Sequence, residues 1–540
     1  MLSKNKLQKS DWHFIALISI LAIVITSTPL IVALFYSQTN NLVISGLHSL
    51  TPGDTNVYFS YINQIKDGSW LLNNQFNFTP QSIGILNIFW LFVGLSAKIF
   101  NLSAFATFQL WRIFLIPALI YALFKLSSLF ITDKLWQKIA VVFLTFSSGF
   151  GIYFNFLYQD INDVYMRPLD LWMPEITIFN TIFHTPHFIA ATILIIFSFY
   201  FFLQALAQKK YLYSITAGSL ALILFNFHPY HFPLIYCSAL AYCIYLLFEK
   251  RAKLLFLLYH FSLLFLISFP SIIYHFYTLS DPIVAARGLQ NVTLSSPFIF
   301  IVIGLGFPFI GALLCFYKIF KKNTPLHIFL IIWFTTSLIL SFLPEWQFGR
   351  RSLHSISIPT ILLFIIWLKP IYNLHKTKIT KILEYGFIPM ILFILIFAPT
   401  SLYQITRDVN LYIKPHQFFY LSSKKEAVLE QLNVLPKLNF ITSDVNSNFI
   451  AGHTNKNVFW GHDHESLDSA NKKRIQTELF SGNLPDKQVY SILDSLQFNY
   501  IWWDHFDQNI YPNFDPNKIS FLQPIITNNE ISIYQFIPLD

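Results

Sequence analysis

The stretch LTPGDTNVYFSYINQIKDGSWLL, residues 50–72, sets Asp54 directly behind a Pro52-Gly53 turn, with few other acids around it. A carboxylate at the start of a helix suits an N-cap, accepting bonds from the first-turn amides. Held in a partly desolvated place, the same group is a general base, because desolvation raises its proton affinity. The pattern TNVYFSYINQIKDGSW puts Val57, Tyr61 and Ile65 on one helical face. Such a helix is expected to be amphipathic and to lie along a membrane interface.

Four further stretches concentrate polar chemistry. YQDINDVYMRPLDLWMPEITIFNTIFHTPHFIA, residues 158–190, carries Asp160, Asp163, Arg167, Asp170, Glu175, His184 and His187. His184 and His187 are three apart, one helical turn if a helix has begun there, and Pro186 suits a first-turn position. FNFHPYHFP, residues 225–233, adds His228 and His231 in a proline-rich turn. LPEWQFGRRSLHSISIP, residues 343–359, pairs Arg350 with Arg351, and adjacent guanidiniums suit bidentate phosphate binding or contact with lipid headgroups. GHTNKNVFWGHDHES, residues 452–466, gathers His453, His462, Asp463, His464 and Glu465. Arg112, in FQLWRIFLIP, stands at or inside an apolar run, where an arginine either faces a cavity or snorkels to the interface. No cofactor is expected; ligand spacing in these stretches does not support a metal site, and a divalent metal is left open.

The elements that must hold these residues are membrane helices. Of 540 residues, 54% are hydrophobic and 12% charged, against roughly 25% charged in soluble domains. Twelve apolar segments, near 12–36, 82–100, 105–131, 138–157, 187–207, 211–227, 229–248, 253–277, 295–317, 326–343, 352–369 and 382–403, approach the length needed to span hydrocarbon. The first is longer than a signal peptide's apolar core. The fold class expected is an all-α polytopic bundle of about 11–13 transmembrane helices over residues 1–406, followed by a small extracytoplasmic α/β domain over 407–540. Within that last part, strands are expected at 439–442, 458–460, 500–503 and 531–536, and helices at 470–481 and 487–496. Cys237, Cys243 and Cys315 all fall in apolar segments, so they form no disulfide framework.

Loop charge sets orientation. The loops near 131–138, 207–211, 249–253, 318–323 and 369–381 carry fourteen Lys and Arg, and the alternating loops near 151–186, 227–231, 278–295 and 343–351 carry four. The basic set is expected on the cytoplasmic side, and the net charge of +9 then requires no nucleic acid partner. Lys4, Lys6 and Lys9 also put the N-terminus inside. Twelve crossings would return the C-terminus inside as well, so one early segment is expected not to cross, and 82–100 is the candidate.

A first span followed by PGDTNVYFSYINQIKDGSW resembles the first outer loop (here 37–81) of the GT-C superfamily of membrane glycosyltransferases, which includes protein mannosyltransferases and the aminoarabinose transferase. FHTPHFIA, FGRR and an outward α/β tail with VFWGHDHES resemble uncharacterised bacterial members. The resemblance implies an inverting transfer of sugar from a polyprenyl-phosphate donor to an unidentified acceptor, in the inner membrane and on its outer face, with Asp54 as base. Arg350, Arg351, Arg112, His184, His187, Glu175, Asp163 and His228 would then bind substrate and its phosphate. Thr55 and Asn56 stand where the family often has a second acid, and FTPQSIGILN departs from the mannosyltransferase PPL pattern. The competing readings are a transporter or flippase of lipid-linked sugars, and a non-catalytic membrane subunit with a partner-binding outer domain.

Overall fold

A computed structural model describes residues 7–158, 163–375, 388–435 and 439–538. Asp160, Lys4, Lys6 and the first residues of the 382–403 segment lie outside them. Chain contacts separate two compact units: Met1–Pro29, Gln109–His275 and Val292–Val409 form one, and Leu30–Phe108, Phe276–Asn291 and Asn410–Asp540 the other.

The first unit is helical. Six helices are long and apolar enough to cross a bilayer: Lys9–Thr39, Ala104–Phe130, Pro186–Gln208, Pro229–Phe248, Leu254–Thr278 and Gly349–Leu374. Three further segments are helix pairs bent by 41°, 98° and 84°, and Tyr211–Phe227 and Pro325–Ser341 are shorter apolar helices. Leucine, isoleucine and phenylalanine fill the core, where Trp333 is fully buried with its ring centre 4.7 Å from that of Phe199. The 98° bend separates Phe298–Leu305 from Phe307–Lys322. It turns at Gly306, whose φ of +61° and ψ of −147° belong to a region open to glycine almost alone. Gly149 packs there so closely that a Cβ would meet the Gly304 carbonyl carbon at 2.3 Å.

The second unit combines the first loop with the C-terminal region. Helix Pro52–Lys66 buries Val57, Phe59, Ile62 and Ile65. Rather than lying open along an interface, it is covered on two sides. Tyr58 stacks on Trp90 at 5.0 Å and Ile65 packs on Gly94 of helix Ile88–Ile99; Asn63 Nδ2 donates to the Gly452 carbonyl at 2.9 Å, in helix Asp444–His453. Helix Ile88–Ile99 has 12 residues. At about 1.5 Å per residue it is far shorter than the roughly 30 Å hydrocarbon layer, in keeping with a segment that does not cross.

Strand β1 (Leu42–Ile44) pairs antiparallel with β2 (Tyr420–Ser422). Five more strands, β3 (Asn439–Ile441), β4 (Asn457–Val458), β5 (Tyr500–Asp504), β6 (Leu522–Thr527) and β7 (Ile531–Phe536), form one sheet in the order β4-β3-β5-β7-β6. The β4-β3-β5 part is parallel and the β5-β7-β6 part antiparallel. Helices Ser469–Leu479 and Asp486–Ser495 supply Leu479, Val489 and Leu493 to its core, beside Trp503, Phe480 and Phe514. This is the small α/β region expected, with β1, β2 and β6 and helices Ser423–Val434, Asp444–His453 and His505–Ile510 added.

Candidate functional site

In the second unit, the sequence reading of Asp54 as N-cap is corrected. Thr51 holds the cap position without a side-chain bond, and Pro52 begins the helix. Asp54 is the third residue of the helix, in its first turn, where the helix dipole still favours its negative charge. Its Oδ1 lies 3.1 Å from Nε2 of His462. Nδ1 of that ring accepts from the amides of His464 and Glu465, both at 3.2 Å, so the ring proton sits on Nε2 and is donated to Asp54. Burial lowers the proton affinity of His462, but Asp54, Glu465 and Asp463 outweigh it and raise the pKa. Gly53 makes the approach feasible, since a Cβ there would lie 3.0 Å from the His462 ring. The His462 side chain is 9% exposed and that of Asp54 44%.

A second layer fixes the loop that carries His462. Glu465 pairs with Arg287 at 3.1 Å, and Arg287 also bonds Tyr61, whose hydroxyl burial and Glu465 push up in pKa. Gln290 donates to the carbonyls of Asp463 and Ser466 at 2.5 and 2.8 Å. Helix Pro282–Gln290, which carries Arg287 and Gln290, is capped by Asp281. Asp281 also accepts from Ser82 and Ile83, and despite burial these bonds hold its pKa well below the usual carboxylate range. Arg287, Tyr61 and Asp281 were missed from sequence. The signal was there in Arg287, the lone basic residue of the 278–295 loop. His453 is half-buried with its ring edge-on to Phe59, and desolvation lowers its pKa to about 4.

The first unit holds the other expected residues. Glu175, buried, forms an ion pair with Arg351. Burial would raise its pKa, but Arg351 and Arg350 overcome this and lower it. The Arg351 guanidinium lies over Tyr230 and Phe188, at 5.4 and 5.7 Å. That of Arg350 lies over Trp172 and Tyr165, at 4.9 and 5.2 Å. Among the described residues Arg350 forms no ion pair. Below them, His354 Nδ1 is 2.9 Å from His231 Nε2, which is 3.4 Å from His228 Nδ1. The His187 ring meets that of His228 edge-on, with centres 5.2 Å apart.

Three expectations change here. His184 ends helix Ile178–His184, extended Thr185 follows, and His187 begins the next helix behind Pro186, so the two histidines do not share one helical face. Asp163 is exposed and caps the turn Val164–Met166 by accepting from the Tyr165 amide at 2.9 Å. Arg112 was expected at a substrate phosphate. It donates instead to Gln109, Thr26, the Ile182 carbonyl and Ser27, at 2.9 to 3.1 Å, so it joins helices. Asp170 is fully buried against the Gly151 amide, and burial pushes its pKa up to about 7. His354, missed as a site residue, joins the Arg and His cluster.

No family model matches the chain, and no curated protein matches it. Solved structures do. The chain has the fold of the GT-C membrane glycosyltransferases, the class its first loop resembles. Among them is the apo oligosaccharyltransferase of Archaeoglobus fulgidus, with a TM-score of 0.52 at 11% identity over 92% of this chain and 70% of that one. The same archaeal enzyme, AglB, in complex with an inhibitory peptide and a dolichol-phosphate matches with a TM-score of 0.50 at 12% identity, over 92% and 72%. Mycobacterial arabinofuranosyltransferase AftD, in its R1389S form, matches with a TM-score of 0.51 at 9% identity. That match covers all of this chain but only 42% of AftD.

Proposed function

We propose that this protein is an integral membrane glycosyltransferase that takes its sugar from a polyprenyl-phosphate carrier and passes it to an acceptor hydroxyl outside the membrane. Asp54 accepts the hydroxyl proton as the oxygen attacks the anomeric carbon. The bond from that carbon to the phosphate oxygen breaks with inversion, and the electron pair leaves on the lipid phosphate. Arg350 and Arg351 are this chain's candidates for binding a phosphate, and Glu175 holds Arg351 in place. His184, His187 and His228 line the substrate side of the same unit. Residues 407–540 stand outside the bilayer of a plasma or inner membrane and support the acceptor side.

The observation that carries the reading is a carboxylate both anchored and accessible: Asp54 is bonded to His462 yet 44% exposed. Three further points support it. The fold is shared with glycosyltransferases; one of those, AglB, is described in complex with a dolichol-phosphate; and Arg350 lies between aromatic rings with no ion pair among the described residues. General-base help contributes roughly 10²–10⁴-fold, and oriented donors at a developing charge about 3–4 kcal/mol each.

The test is full-length protein in nanodiscs given a polyprenyl-phosphate sugar and candidate acceptors. Product formed by the wild type and lost in Asp54→Asn supports the assignment. Transfer at an unchanged rate in that variant refutes Asp54 as the base, and movement of the carrier across the bilayer without product favours a flippase.

A further inference from the structure

We propose that His228, His231 and His354 form a binding site for one divalent transition-metal ion of the zinc class. The three side chains are 2%, 0% and 1% exposed, and one ring nitrogen of each lies within 4.8 Å of the other two. With Zn–N bonds of about 2.0–2.1 Å, tetrahedral geometry separates ligand nitrogens by about 3.3 Å. The observed 2.9 and 3.4 Å bracket that value, and small ring rotations close the third separation.

Proton placement favours a cation over a closed hydrogen-bond chain. The Thr192 hydroxyl donates its single hydrogen to the Phe188 carbonyl at 2.8 Å. Its oxygen therefore accepts from His354 Nε2, also at 2.8 Å. That bond fixes the His354 tautomer and turns an unprotonated Nδ1 toward His231. Histidines that bind metal are held in this way, with the far nitrogen donating to a second group. Tyr230 OH lies 3.0 Å from His228 Nδ1; with an ion bound, that hydroxyl would turn its hydrogen away and leave the nitrogen's lone pair to the ion. His231 Nε2 has the unprotonated His354 Nδ1 on one side and His228 Nδ1 on the other. A metal ion engages all three nitrogens at once.

The donor set selects the ion. Three imidazoles with no carboxylate among them suit zinc, copper, nickel or ferrous iron, whereas calcium and magnesium want oxygen ligands. Three protein ligands leave a fourth position open. The charge of Arg351, which lies over the Tyr230 ring, is offset by Glu175, so the cluster does not repel a cation as a bare arginine would. The ion would tie the turn 228–231 to the segment after Arg350-Arg351, two stretches far apart in the chain.

The inference stands apart from the transferase reading, because its readout is binding. Tag-free, full-length protein in detergent is stripped with a chelator, dialysed against zinc and analysed for metal. About one equivalent is expected per chain, with a rise in unfolding temperature over the stripped protein. His354→Ala and His231→Ala should each fall below roughly a tenth of an equivalent, and Thr192→Val should weaken binding by about 10-fold or more. Cobalt in place of zinc should give the absorption spectrum of a four-coordinate site. Wild-type protein that retains no zinc, cobalt, nickel or copper overturns the proposal. So does binding that survives in the His231→Ala/His354→Ala double variant. Both results would leave a hydrogen-bonded chain of histidines.

Discussion

Asp54 and Glu175 are both carboxylates held by a basic side chain, yet their circumstances are opposite. Asp54 is 44% exposed and its partner is a histidine. Glu175 is 1% exposed and its partner is an arginine, which keeps its proton at any working pH. Glu175 is held in its charged form below the ordinary carboxylate range, so it cannot exchange protons in use and instead fixes a cation. Asp54 meets water on one side and a titratable ring on the other. Asp170 is a third case, buried with no ion pair among the described residues and pushed up to about 7 by desolvation. Burial alone therefore does not tell what a carboxylate in this chain does; the partner does.

The contrast is sharpest at Asp54. Asp54→Asn keeps the shape and the His462 contact but cannot take a proton, so transfer should fall by about 10²–10⁴-fold while thermal unfolding stays near wild type. A transfer assay beside a melting curve reads both, and a large loss of stability without loss of rate would invert the comparison. Glu175→Ala should act the other way round on stability. Removing one partner of a buried ion pair costs about 3–5 kcal/mol, with the lower end expected because Arg351 is 20% exposed; denaturant titration in micelles measures it.

Asp170 gives a pH signature instead. Its folded pKa is raised above the unfolded one, so the protonated form contributes stability that is full below about pH 4 and is lost as pH rises through about 7. Asp170→Asn should flatten the decline in unfolding temperature across that window. The smallest effect belongs to His462→Gln. Asp54 is 44% exposed, so losing the pair should change stability by under about 1 kcal/mol, and the visible result should be a displaced acid limb of the pH–rate profile.

Much of the fold was legible because lipid as solvent leaves a strong pattern. Helix Tyr211–Phe227 and strand Ile531–Phe536 have the bounds the sequence suggests. The 98° bend was hidden because the apolar run continues through it, and only the dihedrals of Gly306 mark the turn. Strand β6 carries Pro524 and a mostly exposed face, which erases the alternation that reveals a strand. The site was legible one residue at a time. Asp54, Glu175, Arg350 and Arg351 stood out as charges where few occur, but partnership did not. His231 meets His354 across 123 residues, and no local spacing announces such a pair.

The bond between Asp54 and His462 spans 408 residues, and β1 waits on β2 across a similar gap, with Ser45 bonded to the Phe418 carbonyl 373 residues on. A ribosome adding about 5–20 residues per second needs roughly 20–80 s to cover that distance. Through that interval the acid near the beginning of the chain is already made while the ring that orients it is not. A nascent or prematurely stopped chain therefore carries its base without its holder, and the finished site exists only once residue 462 has been made.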